Sequence, residues 1–258
     1  MARFFSLFFL FIFLYSSAFA QHITLTKEKH AESSGWTAWL SIPDKIDLHI
    51  FNETDYKLAI IDNGDYCTRY TNTQEAMQHN QCIAGINGGF FSDDAKSTPL
   101  GLLIADGITI SKLSGSGFIS AGVLYDTGSG IKLERKDKLS TPIYEMKQAI
   151  QSGPFLVENG KVVAGLNKER KARRTFIATD GKGTWCIGSS TSLSLYELAT
   201  WLSTISFPNG NKIRTAFNLD GGTSSGYWDS TDRTHIRSFK KVRNYVGITP
   251  RNTHSPST

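Results

Sequence analysis

Pairs of short apolar runs, separated by tight polar turns, dominate the middle of the chain. The pairs are 100–105 with 108–110, 154–157 with 161–163, and 175–179 with 184–187. Their turns contain Asp106-Gly107, Asn159-Gly160 and Asp180-Gly181. Asp-Gly and Asn-Gly are typical of two-residue hairpin turns. Since parallel strands need long crossovers, successive hairpins predict mainly antiparallel pairing.

A different apolar spacing interrupts the hairpins. Over residues 194–205, apolar residues recur at the intervals of a helix, and Ser194 with Glu197 matches a capping box. A second helix is predicted over 73–80 and a third over 143–150. The sequence therefore predicts an α+β fold, a single domain of mainly antiparallel or mixed β-sheet with a few packed helices.

The first 20 residues differ in composition from the rest. Arg3 precedes a run from 4 to 15 that is apolar except for Ser6, and the small residues Ala18 and Ala20 follow. This order is typical of a secretory signal peptide, whereas an uncleaved membrane anchor, the alternative, needs about 20 apolar residues. We therefore expect a signal peptide at 1–20, cleaved near Ala20, and a secreted or periplasmic domain at 21–258.

The charge pattern argues against some classes of partner. The chain carries a formal charge of +5 and two short basic runs, 168–174 and 237–243. Neither run belongs to a recognisable nucleic-acid-binding module, so both are interpreted as solvated loops and no nucleic-acid partner is expected. A small positive excess suits an anionic substrate. We expect no membrane span after the leader, and no protein partner is evident.

The cysteines Cys67, Cys82 and Cys186 are interpreted in the light of export. An oxidising compartment permits one disulfide, and Cys67 and Cys82 flank the helix predicted over 73–80, which favours that pair. Sequence alone does not fix the pairing. The histidines are scattered, without an HExxH or CxxC motif, so the sequence offers no dedicated zinc site.

Four segments combine glycines or arginines with polar residues beside an apolar strand. They contain Asn87, Gly88, Gly89 and Phe91; Ser152 and Gly153; Arg174; and Asn218, Asp220, Gly221, Gly222 and Ser224. Glycine lets a ligand approach the backbone, and the arginine fork matches phosphate or carboxylate. Taken singly, the first three are also ordinary turns or a surface basic pair.

The fourth segment is the most informative one. Asn218 and Asp220 share one face of a strand because side chains alternate, and two glycines and Ser224 follow. A carboxylate at a strand end, beside a loop rich in backbone amides, suits acid–base or metal chemistry. The acidic spacing does not match an EF-hand calcium loop, and no histidine lies near Ser224 to activate it as a nucleophile.

Taken together and in this order, the segments resemble the phosphodiester glycosidase family. The matching motifs are Asn87-Gly-Gly-Phe-Phe91, Ser152-Gly-Pro154, Arg174-Thr175 and Asn218-Leu-Asp-Gly-Gly222, within about residues 55–250. Thr223 stands where relatives often have a third glycine, and Ala178 where they often have glycine. Both residues are small, so the catalytic assignment stands while the substrate is left open.

The resemblance implies an enzyme that hydrolyses a sugar-1-phosphodiester to a free sugar and a phosphomonoester. It implies Asp220 as nucleophile, base or electrostatic stabiliser, Arg174 as phosphate clamp, and Asn87 and Asn218 as ligands of sugar hydroxyls or phosphate oxygens. Further substrate contacts are expected from Gly88, Gly89, Phe91, Ser152, Gly153, Gly221, Gly222 and Ser224. No cofactor is required, although Asp220 and the two asparagines offer oxygen ligands for a divalent cation.

Two questions stay open at this stage. Glycosidases commonly use two carboxylates, and a second one is not evident, although Asp93 and Asp94 follow the first segment closely. The same fold also suits a non-catalytic protein that binds envelope glycans or glycolipids, or a phosphodiesterase that cuts on the other side of phosphorus.

Overall fold

Antiparallel strands account for most of the described chain. The structure is a computed structural model that describes residues 20–27, 44–115 and 117–251. The signal peptide expected at 1–20 therefore lies outside the described residues, except for Ala20. The strands are β1 (Gln21–Lys27), β2 (Asp44–Asn52), β3 (Tyr56–Asp62), β4 (Ala84–Asn87), β5 (Leu103–Ala105), β6 (Ile108–Ser111), β7 (Gly122–Asp126), β8 (Ile131–Arg135), β9 (Gln148–Ser152), β10 (Phe155–Glu158), β11 (Lys161–Val162), β12 (Ala172–Thr179), β13 (Thr184–Leu193), β14 (Thr215–Asn218), β15 (Tyr227–Asp229), β16 (His235–Ile236) and β17 (Asn244–Pro250). The α-helices are α1 (Thr73–His79) and α2 (Leu195–Leu202).

The strands form three sheets. A seven-stranded sheet has the order β1-β2-β13-β12-β14-β10-β11. Two five-stranded sheets have the orders β16-β15-β4-β17-β3 and β6-β5-β9-β7-β8. The pairings between these strands are antiparallel. The antiparallel arrangement predicted from the hairpins is thus confirmed.

The three predicted hairpins are present as β5–β6, β10–β11 and β12–β13. In the first two turns, Asp106 and Asn159 have φ angles of 50° and 51°, and the glycines after them have φ angles of 80° and 75°. Both central residues of such a turn take a positive φ, which glycine and asparagine or aspartate tolerate best. The turn chemistry in the sequence therefore set the register of these strands.

One apolar core joins the sheets. Leu58 of the second sheet, Leu124 of the third and Ile177 of the first belong to the same buried cluster. The other face of the seven-stranded sheet packs against α2, and α1 packs on the second sheet with Met77. The strand ends that carry the polar segments therefore meet where the sheets adjoin.

Two of the three predicted helices are confirmed. The helix expected over 194–205 is α2, and its capping box is formed: the Glu197 amide donates to Ser194 Oγ, and the Ser194 amide donates to the Glu197 carboxylate. The helix expected over 73–80 is α1. The third prediction is wrong, because 143–150 contains one short 3₁₀ turn (Ile143–Glu145) and then enters β9. Strand β9 is central and buried on both faces, which removes the alternation that identifies a strand.

The fold is therefore β-rich, and the α+β expectation gave the helices too much weight. In the described ranges the α-helices are α1 and α2, of 7 and 8 residues. No helix among these residues is long and apolar enough to cross a membrane.

The disulfide expected between Cys67 and Cys82 is not formed, because all three cysteines are free and buried. Cys82 lies in the apolar cluster under α1, and its Sγ is 2.5 Å from the position that a Cβ on Gly247 would occupy. Burial raises the pKa of the Cys82 thiol to about 12, and also that of Cys186. Oxidising surroundings permit a disulfide but do not bring two thiols together, so the expectation failed on distance.

Candidate functional site

Asn87 cross-links the chain where two sheets meet. It ends β4, and its Nδ2 donates to the carbonyl of Asp220 at 2.7 Å and to that of Gly88 at 3.3 Å. Its Oδ1 accepts from Thr175 Oγ1 at 2.9 Å and from the Gly226 amide at 3.1 Å. The side chain is fully buried and its hydrogen-bonding capacity is used. Asn87 therefore fixes the position of the Asp220 backbone through a side-chain hydrogen bond to its carbonyl.

Gly88 and Gly89 are required by the approach of Asn244 from β17. The Gly88 amide donates to the Asn244 carbonyl, and the Gly89 amide donates to Asn244 Oδ1, both at 2.8 Å. A Cβ on Gly88 would lie 2.0 Å from Asn244 Oδ1, and one on Gly89 would lie 2.9 Å from the Gln151 carbonyl. These two amides are committed to the protein, so the glycines serve close packing beneath the site.

Asp220 presents its carboxyl just beyond the end of β14. Its backbone is fixed, since its amide donates to the Gly88 carbonyl and its carbonyl accepts from Asn87 Nδ2, while the single hydroxyl hydrogen of Thr175 is shared between this carbonyl and Asn87 Oδ1. Its Oδ1 accepts from the Gly221 amide at 2.9 Å. Burial raises the pKa of the Asp220 carboxyl above its ordinary value, and the opposing influences are the Ser224 hydroxyl and the Lys240 charge. The carboxyl is thus partly desolvated and close to a hydroxyl and a cation.

Arg174 lies beside the glycines that follow Asp220. Its Nε donates to the Leu193 carbonyl at 3.1 Å and its Nη2 donates to the Arg170 carbonyl at 2.8 Å. The third nitrogen, Nη1, lies 3.4 Å from where a Cβ on Gly221 would be. Within the described chain no carboxylate pairs with this guanidinium. Burial, together with the charge of Arg170, lowers its pKa. Nη1, the guanidinium nitrogen that donates to neither carbonyl, therefore lies beside Gly221.

Three predicted substrate-binding residues carry a buried polar atom without a partner among the described residues. They are Ser152 (Oγ), Asn218 (Oδ1) and Ser224 (Oγ). Asn218 is anchored through Nδ2, which donates to the Gly153 carbonyl at 3.0 Å. Ser224 is close enough to Asp220 to lower the pKa of its carboxyl, but no hydrogen bond within standard geometry joins the two. Unsatisfied buried groups are rare in folded proteins and call for a partner such as water or a ligand.

The 3₁₀ turn Gly222–Ser224 carries the rest of the fourth segment. Gly222 has a φ angle of 66°, which favours glycine, and a Cβ there would meet nothing within 4 Å. The turn is held by the Ser224 amide, which donates to the Gly221 carbonyl. Gly221 is packed at 3.0 Å against the Arg173 carbonyl, measured from its hypothetical Cβ. The open side of this turn is at Gly222.

Sequence reasoning missed Lys240, which lies over the ring of Phe91, a predicted substrate contact. The Lys240 Nζ lies 4.6 Å from the centre of the Phe91 ring and 3.7 Å from Asp93 Oδ1. Both Lys240 and Asp93 act on the pKa of Asp220, the first lowering it and the second raising it. Lys240 belongs to the basic run 237–243, which was interpreted as a solvated loop. Nothing local in that run indicates that it folds back onto Asp220.

The site offers few ligands for a metal ion. Of the residues suggested as oxygen ligands, Asn87 is fully hydrogen-bonded and Asp220 is partly so, whereas Asn218 Oδ1 has no partner among the described residues. A separate group, His22, Asp229 and Asp232, brings its ligand atoms within 4.8 Å of one another. Asp229 there already accepts from His49, Tyr227 and twice from Thr231. Four bonds occupy the lone pairs of its carboxylate, so this group is better described as a hydrogen-bonded ion network.

The chain matches one protein family by sequence, and its fold is similar to that of a solved catalytic domain. The sequence profile of the family described as phosphodiester glycosidase (NAGPA) matches residues 80–249. The zebrafish N-acetylglucosamine-1-phosphodiester alpha-N-acetylglucosaminidase catalytic domain, auto-inhibited by its pro-peptide, superposes with a TM-score of 0.67 at 14% identity, covering 91% of this chain and 85% of that one.

Two further likenesses concern proteins without an assigned reaction. A hypothetical protein from Synechocystis has a TM-score of 0.54 at 14% identity, covering 81% of this chain and 60% of that one. The uncharacterized protein YigE of Escherichia coli (strain K12) is 39% identical over 88 residues, which is 32% of this chain and 34% of that protein. The structural likenesses concern the fold, and the match to YigE spans about a third of its length.

Proposed function

Since the chain belongs to the phosphodiester glycosidase family, we propose that it is a hydrolase that cleaves the bond between the anomeric carbon of a sugar and a phosphate oxygen. The products are a free sugar and a phosphomonoester. The observation that carries the proposal is the Asp220 carboxyl, which is partly desolvated, has a raised pKa and lies near Ser224 and Lys240. Carboxyls with perturbed pKa values cluster at catalytic sites.

The chemistry of the bond suits these groups. A phosphate leaving group is a weak base, so it needs a cation more than it needs a strong acid. Positive charge that develops on the sugar ring is stabilised by a nearby carboxylate. Asp220 serves as nucleophile, base or electrostatic stabiliser, and each of these roles requires the ionised form. Asp93, one of the two acidic residues suggested as a second carboxylate, raises the pKa of the Asp220 carboxyl through its charge.

The other residues take roles that their contacts allow. Ser152, Asn218 and Ser224 offer unpartnered polar atoms to sugar hydroxyls or phosphate oxygens. Arg174 offers the Nη1 edge beside Gly221. Asn87, which was expected to touch substrate, acts through the backbone of Asp220. The phosphate-bearing substrate is a glycan or a glycolipid.

Export is part of the proposal. A protein from Burkholderia pseudomallei K96243, BPSS2145, is named as an exported protein. It superposes with a TM-score of 0.55 at 11% identity, covering 81% of this chain and 74% of that one. Together with the leader-like composition of residues 1–20, this supports a secreted or periplasmic location. N-terminal sequencing of the secreted protein tests it, and a chain that keeps residues 1–20 contradicts it.

Product analysis tests the reaction. The protein is incubated with a defined N-acetylglucosamine-1-phosphodiester, and free sugar and phosphomonoester are measured. Release of sugar 1-phosphate instead identifies a phosphodiesterase that cuts on the other side of phosphorus. Tight glycan binding without turnover on a broad substrate panel identifies a binding protein.

The variant Asp220→Asn tests the assignment of the carboxylate. We expect turnover to fall by about 10²- to 10⁴-fold, which is the typical contribution of a positioned acid–base group. The melting temperature should not change. The matched control is Asp106→Asn, since Asp106 lies in the β5–β6 turn and its contact with Gln148 can be kept by an asparagine oxygen. Near-native turnover in Asp220→Asn would rule out Asp220 as the catalytic carboxylate.

A further inference from the structure

We propose that Lys240 holds the phosphate of the substrate and thereby sets a requirement for an anionic leaving group. This inference rests on the proposed function and adds to it a residue that the family motifs in the sequence did not include. It assigns to Lys240, one residue of the basic run 237–243, a place in the site.

The ammonium group of Lys240 lies among groups that already belong to the site. Its Nζ is 4.6 Å from the Phe91 ring centre and 3.7 Å from Asp93 Oδ1. Its charge lowers the pKa of the Asp220 carboxyl. A cation over an aromatic face is held in place without losing its charge. Lys240 is therefore held beside Phe91 and Asp93, its charge reaches the Asp220 carboxyl, and its ammonium group keeps the charge that binds an anion.

The backbone that carries Lys240 is fixed to the Asp220 loop. The amides of Phe239 and Lys240 donate to the Thr223 carbonyl at 2.8 and 3.2 Å. On the other side, the Arg173 guanidinium lies 4.3 Å from the Phe239 ring centre, and its Nη1 donates to the Arg237 carbonyl at 3.1 Å. Two independent attachments thus hold an otherwise exposed segment against the site.

The partner that Lys240 has in the structure is one that a phosphate can replace. The Asp93 side chain is 96% exposed, and an exposed pair at 3.7 Å contributes little to stability. Phosphate carries its charge on several oxygens. Lysine commonly binds phosphate, with its ammonium group acting as a point charge. Arg174, by comparison, has two of its three nitrogens bound to backbone carbonyls. Lys240 is thus the cation of the site with more freedom to follow the phosphate.

The assigned role is electrostatic. The bond between the anomeric carbon and the phosphate oxygen breaks with its electron pair on that oxygen. Water supplies the hydroxyl of the free sugar, and the remaining proton goes to the phosphomonoester or to solvent. Lys240 keeps its proton and stabilises the charge that develops on the leaving oxygen.

The test compares Lys240→Met with Lys241→Met, its neighbour of equal charge. Lys241 is exposed and its charge acts on Glu75 of α1, away from Asp220. For a sugar-1-phosphodiester we expect kcat/KM to fall by about 10- to 100-fold in Lys240→Met, as for loss of a hydrogen bond to a charged group. Lys241→Met should stay within about twofold of the parent, since surface changes have small effects. Lys240→Arg should recover most of the loss.

Two further readouts separate phosphate binding from a merely structural role. An uncharged aryl glycoside of the same sugar should lose much less in Lys240→Met than the phosphodiester does. The acidic limb of the pH profile should move to higher pH in Lys240→Met, because the charge that lowers the pKa of Asp220 is gone. Equal losses on both substrates, or equal effects of Lys240→Met and Lys241→Met, would overturn the proposal.

A separate experiment distinguishes failure of this inference from failure of the proposed function. Binding of sugar 1-phosphate to the Asp220→Asn variant is measured by calorimetry, with and without the added Lys240→Met substitution. Loss of binding when Lys240→Met is added supports the phosphate site even where no substrate is turned over. Turnover that is unchanged by Lys240→Met overturns the phosphate site while the hydrolase assignment stands.

Discussion

The acid–base state of Asp220 follows from its surroundings. Burial raises the pKa of its carboxyl, and the Asp93 charge acts in the same direction. An ordinary aspartate has a pKa of about 3.9. The ionised form, which the proposed roles require, is therefore lost at a higher pH than for a solvent-exposed aspartate.

This gives a prediction for the pH dependence of kcat/KM. As the pH falls through the raised pKa, Asp220 takes up a proton and the rate falls tenfold per pH unit below it. The acidic limb should therefore lie at a higher pH than it would for a solvent-exposed aspartate. Measurement of kcat/KM from pH 3 to 8 checks this, with Asp93→Asn as comparison. Since removal of the Asp93 charge favours ionisation, that variant should shift the limb to lower pH, and a shift upward would contradict the electrostatic account.

At this scale the sequence revealed some residues and not others. Asp220 stood out because an apolar strand ends in Asp-Gly-Gly, a local signal. The brace made by Asn87 did not stand out, since its partners Thr175, Asp220 and Gly226 lie far away in the chain. Lys240 was equally hidden, because its neighbours in sequence look like a solvated loop. Contacts set by sheet packing leave no periodic trace in one sequence.

At the scale of elements, the antiparallel ladder that joins β1 to β2 is supplemented by a charged network. His22 Nδ1 lies 2.6 Å from Asp232 Oδ2, on the β15–β16 turn, and His22 Nε2 lies 3.7 Å from Asp47 Oδ1 on β2. Burial alone would lower the pKa of His22, but the carboxylates of Asp47, Asp232 and Asp229 outweigh it and raise the pKa above 6.5. The edge strand is thus tied to two sheets by one imidazolium.

The stability of β1 should therefore depend on pH. Because the folded-state pKa of His22 is raised, its contribution is fully present below about pH 6.5 and is lost as the pH rises through the folded value. We expect the backbone amides of β1 that follow His22 to exchange hydrogen faster above the folded-state pKa of His22, after correction for the intrinsic rate. The variant His22→Gln should abolish this pH dependence. An unchanged pH dependence in His22→Gln would show that another group controls the strand.

Hairpins and capped helices were the elements that the sequence predicted well. Both depend on neighbours in the chain, such as Asn159-Gly160 in its turn and Ser194 with Glu197 at the start of α2. The error at 143–150 has the opposite cause. Strand β9 is defined by its partners β5 and β7, which are distant in sequence, and burial on both faces made its pattern ambiguous.

At the scale of the whole molecule, the arrangement of three sheets was not predictable from spacing. The pattern of hairpins and helices supplied the expectation of one domain, while strand order depends on contacts such as β2 with β13. The cysteines show the same limit. Their proximity in sequence suggested a bond that the folded chain does not make.

The free cysteines give a prediction for the intact protein. A reductant should leave the melting temperature unchanged, and denaturation should expose the thiols of Cys67, Cys82 and Cys186 to titration. In the folded state, reaction should be slow, because burial raises the pKa of Cys82 and Cys186 to about 12 and leaves little thiolate. Recovery of a single thiol from the denatured, unreduced protein would instead demonstrate a disulfide.

The position of β17 bears on when the site can come into existence. This strand, the last one described, lies between β4 and β3, and its Asn244 receives the amides of Gly88 and Gly89. When the ribosome has already added Asn87, Arg174 and Asp220 to the growing chain, β17 has not yet been made. The chain then still lacks Asn244, which holds Gly88 and Gly89 in the floor of the site. Chain synthesis must thus pass β17 before this floor can form, so the candidate site is assembled only after segments that are far apart in the chain have folded together.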